Sequence, residues 1–306
     1  MTAWQNPKTT FSVPAQKIIF TALASVLVLL SHASLPAKAQ EGASAPALPA
    51  VDGVNGKISG FGGAFDGQPL YGGTGSFTAP LGTQFGLQLD ALAGGLNSRL
   101  AGEASIGATT GHLFWRNPSV GLLGLYGQYV HANAFDGVDS YGGAFEGALY
   151  RGRMSLDAIA GAETGSAKLG GINLDLGTRF FDVADLSYYP LDDVKLSIGH
   201  IYTGGTHAAQ FGAEWGFATG GGTMAALFAK ADVTERGETG VLAGLRLYFG
   251  ERDKPLIRRH QEDDPIALQY IGRAIFLIAG IHKFKQHKDN PTQIPLPTPI
   301  ALLTHK

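Results

Sequence analysis

Cysteine is absent from the 306 residues, which excludes a disulfide framework, thiolate metal sites and cysteine nucleophiles. Charge is sparse: Asp, Glu, Lys and Arg together make up 16%, against about 25% in ordinary soluble domains. No run of 18 apolar residues occurs, so a protein that spans a membrane with helices is excluded too. Collagen's three-residue glycine period is missing, and Phe, Tyr, Leu and Val are too frequent for a disordered chain. What the chain has in excess is glycine, 44 residues, about twice the usual share. Residues 51–250 hold 41 of them, together with 18 acidic and 11 basic side chains; residues 1–50 and 251–306 are net positive, by +2 and +3.

The flanks read separately from the middle. Lys17 precedes an uncharged apolar run, Ile18 to Leu30, which is too short for a bilayer that needs about 20 residues. The run leads to Ala37-Lys38-Ala39, so residues 1–39 are expected to be a signal peptide cleaved after Ala39, with 40–52 as a small-residue linker. At the other end, residues 251–306 form a tail. Its first part, ERDKPLIRRHQEDDP (251–265), is expected to be solvated, 266–284 predicts a short helix, and prolines dominate the end. Such a tail either docks on the rest of the molecule or is an appendage.

From 53 to 250 there is no helical period, but ten-residue stretches alternate polar with apolar, the mark of strands with one wet and one dry face. Phe85, Leu87, Leu89, Ala91 and Ala93 share one face opposite Gln84, Gly86, Gln88 and Asp90. Val241, Ala243, Leu245, Leu247 and Phe249 likewise oppose Arg246 and Tyr248. Twelve strands are expected: 54–65, 69–79, 82–93, 99–111, 119–131, 139–149, 153–163, 179–189, 194–203, 208–217, 223–232 and 240–249. Proline cannot donate to a ladder, and Pro69, Pro80, Pro118 and Pro190 all fall at or beside expected turns.

A soluble sandwich turns its apolar face inward, a membrane barrel outward. Strands of ten or more residues favour the barrel, since a membrane strand needs about 9–11 and soluble strands cluster near 5–6. Aromatics at the ends of alternate strands favour it again, because amphipathic rings settle at the headgroup level. Trp115, Tyr150, Tyr188, Trp215, Phe217 and Phe249 are the expected girdle, with a sparser second one at Phe65, Tyr129, Tyr202 and Phe228. Glycines such as Gly63, Gly86, Gly107, Gly124, Gly142 and Gly199 are expected to relieve crowding inside.

The segments YYPLDDVKLSIGH (188–200) and GVLAGLRLYFG (240–250) resemble Gram-negative outer-membrane β-barrel proteins of the small porin-like kind. The resemblance implies an all-β transmembrane antiparallel barrel over 53–250, located in the outer membrane. It also implies recognition of the last strand, through its terminal aromatic, by the barrel-assembly machinery. In that family the aromatic usually ends the chain, whereas 57 residues follow Phe249.

Charges cannot face lipid cheaply, so parity assigns Asp90, Glu103, Glu146, Arg153, Asp157, Asp185, Lys195, Glu214, Lys230 and Arg246 to the lumen, with Lys57 and Glu163. They either line a wet channel with a weak cation preference or interlock in a closed barrel. Catalytic motifs of the G-x-S-x-G, H-E-x-x-H, Walker and C-x-x-C types are missing. The expected role is therefore a porin-like or structural envelope protein, not an enzyme. Outer-membrane lipid and small solutes are the expected partners, with no cofactor, metal or nucleic acid. Two alternatives stand: a barrel-embedded hydrolase using His131 or His207 near Asp136, Asp139 or Glu163, and a soluble periplasmic ligand-binding β protein.

Overall fold

The structure, a computed structural model, describes residues 48–98, 102–134, 136–250, 252–263 and 265. The expected signal peptide and the expected helix at 266–284 lie outside the described residues.

The strands are β1 (Asn55–Phe65), β2 (Gln68–Leu81), β3 (Phe85–Ser98), β4 (Gly102–Asn117), β5 (Gly121–Ala132), β6 (Val138–Arg151), β7 (Met154–Leu169), β8 (Ile172–Asp175), β9 (Arg179–Leu191), β10 (Val194–Thr203), β11 (Thr206–Gly220), β12 (Thr223–Thr234) and β13 (Thr239–Phe249). Leaving β8 aside, each strand pairs with the one before and the one after it, β7 pairing with β9, and β13 returns to β1 in antiparallel register from Gly56↔Phe249 to Phe65↔Gly240. Twelve strands thus close a barrel. The thirteenth, β8, pairs with β7 alone and prolongs it as a hairpin beyond the wall. Asn55 and Phe249 lie at one end, the terminal rim; the opposite end is the far rim.

Turn chemistry explains why the chain reverses so sharply. Asp66-Gly67, Gly204-Gly205 and Gly221-Gly222 are two-residue connections, and five of these six residues have φ between 61° and 78°, Asp66 having 47°. Positive φ at both central positions matches the twist of hairpin strands. Prolines keep to the margins: Pro190 is the penultimate residue of β9, and the β9–β10 register slips beside it, between Val194 and Leu196.

Several strands are longer than expected. HLFWRN, expected as a linker, is the end of β4, and β7 runs on through Thr164–Leu169, where Gly, Ser and Thr blur the contrast between faces. The connections after β3 and β5 are accordingly short. Of the glycines expected to relieve crowding inside, Gly107 falls on the outer face of β4, between the buried Ile106 and Ala108, and a Cβ there would meet only the Leu92 carbonyl at 3.9 Å, while a Cβ on Gly63 would run into the Val241 carbonyl and Leu242 across the closing seam. Gly63→Ala is expected to abolish the heat-resistant folded band on a semi-native gel, while Gly107→Ala leaves it unchanged; equal behaviour of the two would remove the steric account.

Candidate functional site

The outward positions are apolar on strand after strand: Ile58, Leu89, Leu113, Leu125, Phe145, Ile198, Leu227 and Leu245 are all exposed. The inward positions fall into two layers. Toward the far rim the interior is largely apolar, apart from the buried Glu163, which accepts from Thr203 and the Gly204 N–H, and Asp232, which accepts from Gln210. Phe61, Leu92, Ile106, Val130, Ile159, Phe181, Ile201 and Phe228 belong to one buried cluster, none more than 8% exposed. Alternation therefore extends the apolar character to both faces of the wall here, and the far half of the lumen is filled rather than open.

Toward the terminal rim the interior is charged. Asp90 accepts from Gln88 and Thr110 at 3.0–3.1 Å, and His112 stands between Asp90 (3.1 Å) and Glu146 (2.7 Å). Arg246 donates to Glu214 at 2.8 Å and to Ser59 at 3.0 Å, and lies over the Phe228 ring. Asp185 accepts from Ser187 at 2.8 Å and faces Lys195 at 3.9 Å. Each carboxylate is met by donors, as burial of a charge requires. Between these groups is a cavity of about 60 Å³, reached by Lys57, Asp157, Lys195, Lys230 and Arg246 from the wall.

That cavity is roofed by the tail. Helix α1 (Leu256–Glu262) crosses the terminal rim, its N-cap Pro255 offering no side-chain cap. The β9–β10 turn caps it instead: Leu256 N–H donates to Asp193 Oδ1 and Ile257 N–H to the Asp192 carbonyl, both at 2.9 Å. Arg259, fully enclosed, donates to the Gly222 carbonyl at 2.9 Å in the β11–β12 turn. Lys254 is gripped by Asp263 (2.6 Å), Asp52 (3.1 Å) and Glu262 (3.1 Å), and these carboxylates hold its ammonium above the usual lysine range. The segment expected to be solvated is a plug, because its charges find partners in the rim that water would otherwise supply. Ala50 and Val51, expected as linker, are buried as well: the Ala50 carbonyl accepts from Arg116 at 3.1 Å.

His260 joins plug to wall. Tyr248 Oη donates to Glu214 at 2.6 Å, so it must accept from His260 Nε2–H at 2.8 Å, which leaves Nδ1 to accept from Tyr189 Oη at 2.9 Å. Burial, with Lys195, Lys57 and Arg246 nearby, pushes the imidazole well below its usual 6.5, although Glu214 pulls it upward.

Of the residues assigned to the lumen, Asp90, Glu146, Asp157, Asp185 and Glu214 are buried inside, and Lys195, Lys230 and Arg246 reach the cavity. Two are not inside. Glu103 is exposed on the outer face and accepts from Tyr71 at 3.2 Å, since it precedes the inward-facing Ala104 by one residue. Arg153 lies in the β6–β7 turn, half-exposed, paired with Asp192 at 2.6 Å. Trp115, Tyr188, Trp215, Phe217 and Phe249 stand on the outer face near the terminal rim, whereas Tyr150 turns inward and packs on Phe114 and Val51. In the second girdle Phe65 and Phe228 are interior. The expected strand 99–111 stopped one residue short of His112; continuing the parity of β4 past Gly111 would have put it inside. His260 carried no signal except its place among charges.

No protein-family model and no curated protein matches the chain. Among solved structures it is similar to the COG4313 outer membrane channel from Pseudomonas putida F1, at 14% identity and TM-score 0.49, over 69% of this chain and 99% of that one. It is also similar to the KdgM porin (10%, 0.41, 62% and 97%) and to the CymD monoaromatic hydrocarbon channel (9%, 0.43, 66% and 90%).

The seating of α1 depends on pH with a definite sign. Docked His260 binds a proton less readily than the free side chain at 6.5, so docking is fully supported above that pH and weakens as pH falls through it, by about 1.4 kcal/mol for each further unit. Asp263, pushed up by burial, acts in the opposite sense only nearer the carboxylate range. Hydrogen exchange of the α1 amides, corrected for intrinsic rates, is expected to speed up just below pH 6.5 in the native chain and to lose that step in His260→Phe. A profile flat in both would contradict the assignment.

Proposed function

We propose that the chain is an integral outer-membrane barrel held shut, one that passes small polar solutes only when both the plug and the inner apolar layer yield. A closed twelve-strand antiparallel barrel with apolar side chains outside supports this porin-like reading, because only closure satisfies every backbone group in lipid. The terminal rim and α1 then face the periplasm, and export by a signal peptide cleaved after Ala39, with assembly through the last strand, belongs to the same reading.

The observation that carries it is the outward apolar belt on the strands; the dry inner cluster around Phe61, Phe181 and Phe228 is what favours a shut state over an open pore. A cation preference for whatever water enters fits the interior balance: Asp90, Glu146, Asp157, Glu163, Asp185, Glu214 and Asp232 against Lys57, Arg116, Lys195, Lys230 and Arg246. The hydrolase alternative has less support. Asp139 orients His131 at 2.9 Å and His200 meets His207 at 3.0 Å, but among the described residues neither His131 nor His207 is hydrogen-bonded to a serine or threonine hydroxyl that could serve as nucleophile.

In planar bilayers the native chain is expected to give no sustained conductance, and the triple variant Phe61→Ala/Phe181→Ala/Phe228→Ala to conduct, with a reversal potential in a salt gradient on the cation side. Native conductance equal to that of the variant would sink the shut state, and an anion-side reversal potential would sink the preference. Recovery of the native chain in a detergent-free soluble fraction would end the membrane reading altogether.

A further inference from the structure

Just below the far rim, the outer face stops being purely apolar. Tyr71 donates to Glu103 there. On β5 and β6, Tyr129 Oη and His131 Nδ1 both reach Asp139 Oδ1, at 2.7 and 2.9 Å, and the Tyr141 ring lies 5.0 Å from that of Tyr129. On β9 to β11, Asp182 Oδ1 meets His200 Nδ1 at 2.9 Å, His200 Nε2 meets His207 Nδ1 at 3.0 Å, and His207 stacks on Tyr202 at 4.4 Å. These groups point outward, because the alternating residues Phe181, Ile201 and Ala208 are the buried ones.

The polarity of the chain of bonds follows from its carboxylate end. Asp182 can only accept, so His200 donates through Nδ1–H and, as neutral imidazole, accepts at Nε2. His207 therefore donates through Nδ1–H and presents Nε2 as an acceptor. His131, held by Asp139 in the same way, also presents an acceptor. Each cluster joins carboxylate and imidazole acceptors to flat aromatic faces. That chemistry repels a bare phosphate. It makes no metal cage either, since the two imidazole nitrogens aim at each other and no group of three ligating residues occurs among the described residues. Ligands with many hydroxyl donors and ring faces that can lie on an aromatic suit it: saccharides. The clusters sit where the apolar belt meets the rim, at the depth of a lipid headgroup rather than of bulk solution.

We propose that the outer face of the far rim binds the sugar headgroup of a glycolipid in the surrounding leaflet, through the clusters centred on Asp139 and Asp182. This rests on the membrane reading above. The chain would be placed in nanodiscs of equimolar digalactosyldiacylglycerol and phosphatidylglycerol, and the lipids it retains on release counted by native mass spectrometry. The native chain is expected to favour the glycolipid by about tenfold, the scale of a few hydrogen bonds to charged acceptors, and Asp139→Asn/Asp182→Asn to fall to parity. The His131 and His207 Nε2 resonances are expected to shift with glycolipid in the native chain alone. Free digalactose is expected not to displace the lipid.

Parity in the native chain, a preference for phosphatidylglycerol, equal retention by the variant, or displacement by free digalactose would each overturn the proposal. Both proteins must migrate as heat-modifiable barrels. Should the native chain fail that check, the membrane reading falls, and the failure is told apart from a merely absent sugar site.

Discussion

The antiparallel seam between β1 and β13 is the contact on which the rest of the molecule depends. The eleven other ladders of the wall join strands that are close in sequence or separated by one short hairpin, but this one brings together the first and last strands, and without it both would be edges. An open edge leaves a row of amides and carbonyls without partners, a defect water can repair and lipid cannot. Closure is thus the condition for an apolar exterior. The small residues of the seam serve it, as at Gly63, where the facing backbone leaves no space for a side chain.

Once the wall is closed, the interior is decided by what twelve strands can fill. Here the side chains meet and divide the lumen by polarity. In the far half, Phe181 and Ile201 are completely buried, and packing is that of a soluble core. In the terminal half, ionised groups are buried, which is stabilising only when nearly every lone pair and proton has a partner. The network around Glu214, Tyr248 and Arg246 supplies those partners and α1 completes it with His260, while the one around Asp90, His112 and Glu146 supplies most of them and leaves Glu146 Oε1 without a hydrogen bond. The plug is therefore continuous with the charged layer, and its removal would strand groups that the wall alone does not satisfy.

Much of this was legible in the chain itself, because a period of two, carried by residues such as Leu87 against Gln88, survives any tertiary context that keeps a strand two-sided. Strand existence and the outward face follow from it. Strand ends were less legible: where β7 continues through Thr164–Leu169, small polar residues suit either face, and where β4 continues through HLFWRN the aromatic pair looked like a rim. Parity also fails where both faces are apolar, so the dry inner layer could not be told from the outer belt. Glu103 shows the reverse difficulty. Its carboxylate faces outward because an adjacent tyrosine receives it, a pairing between strands that no single strand displays. Arg259 and Lys254 were hidden for the same reason, their partners being turns far away in sequence.

Where α1 is anchored has a consequence for the order in which the protein matures. Its first amides need Asp192 and Asp193, Arg259 needs Gly222, and Lys254 needs Asp52, so three distant stretches of chain must already have been brought to one mouth before it can seat. The helix immediately follows the strand that zips the cylinder shut. Docking is consequently the closing event of biogenesis, a seal set only on a finished vessel, and until it sets, the end of the final strand stays uncovered for whatever escorts the chain into its membrane.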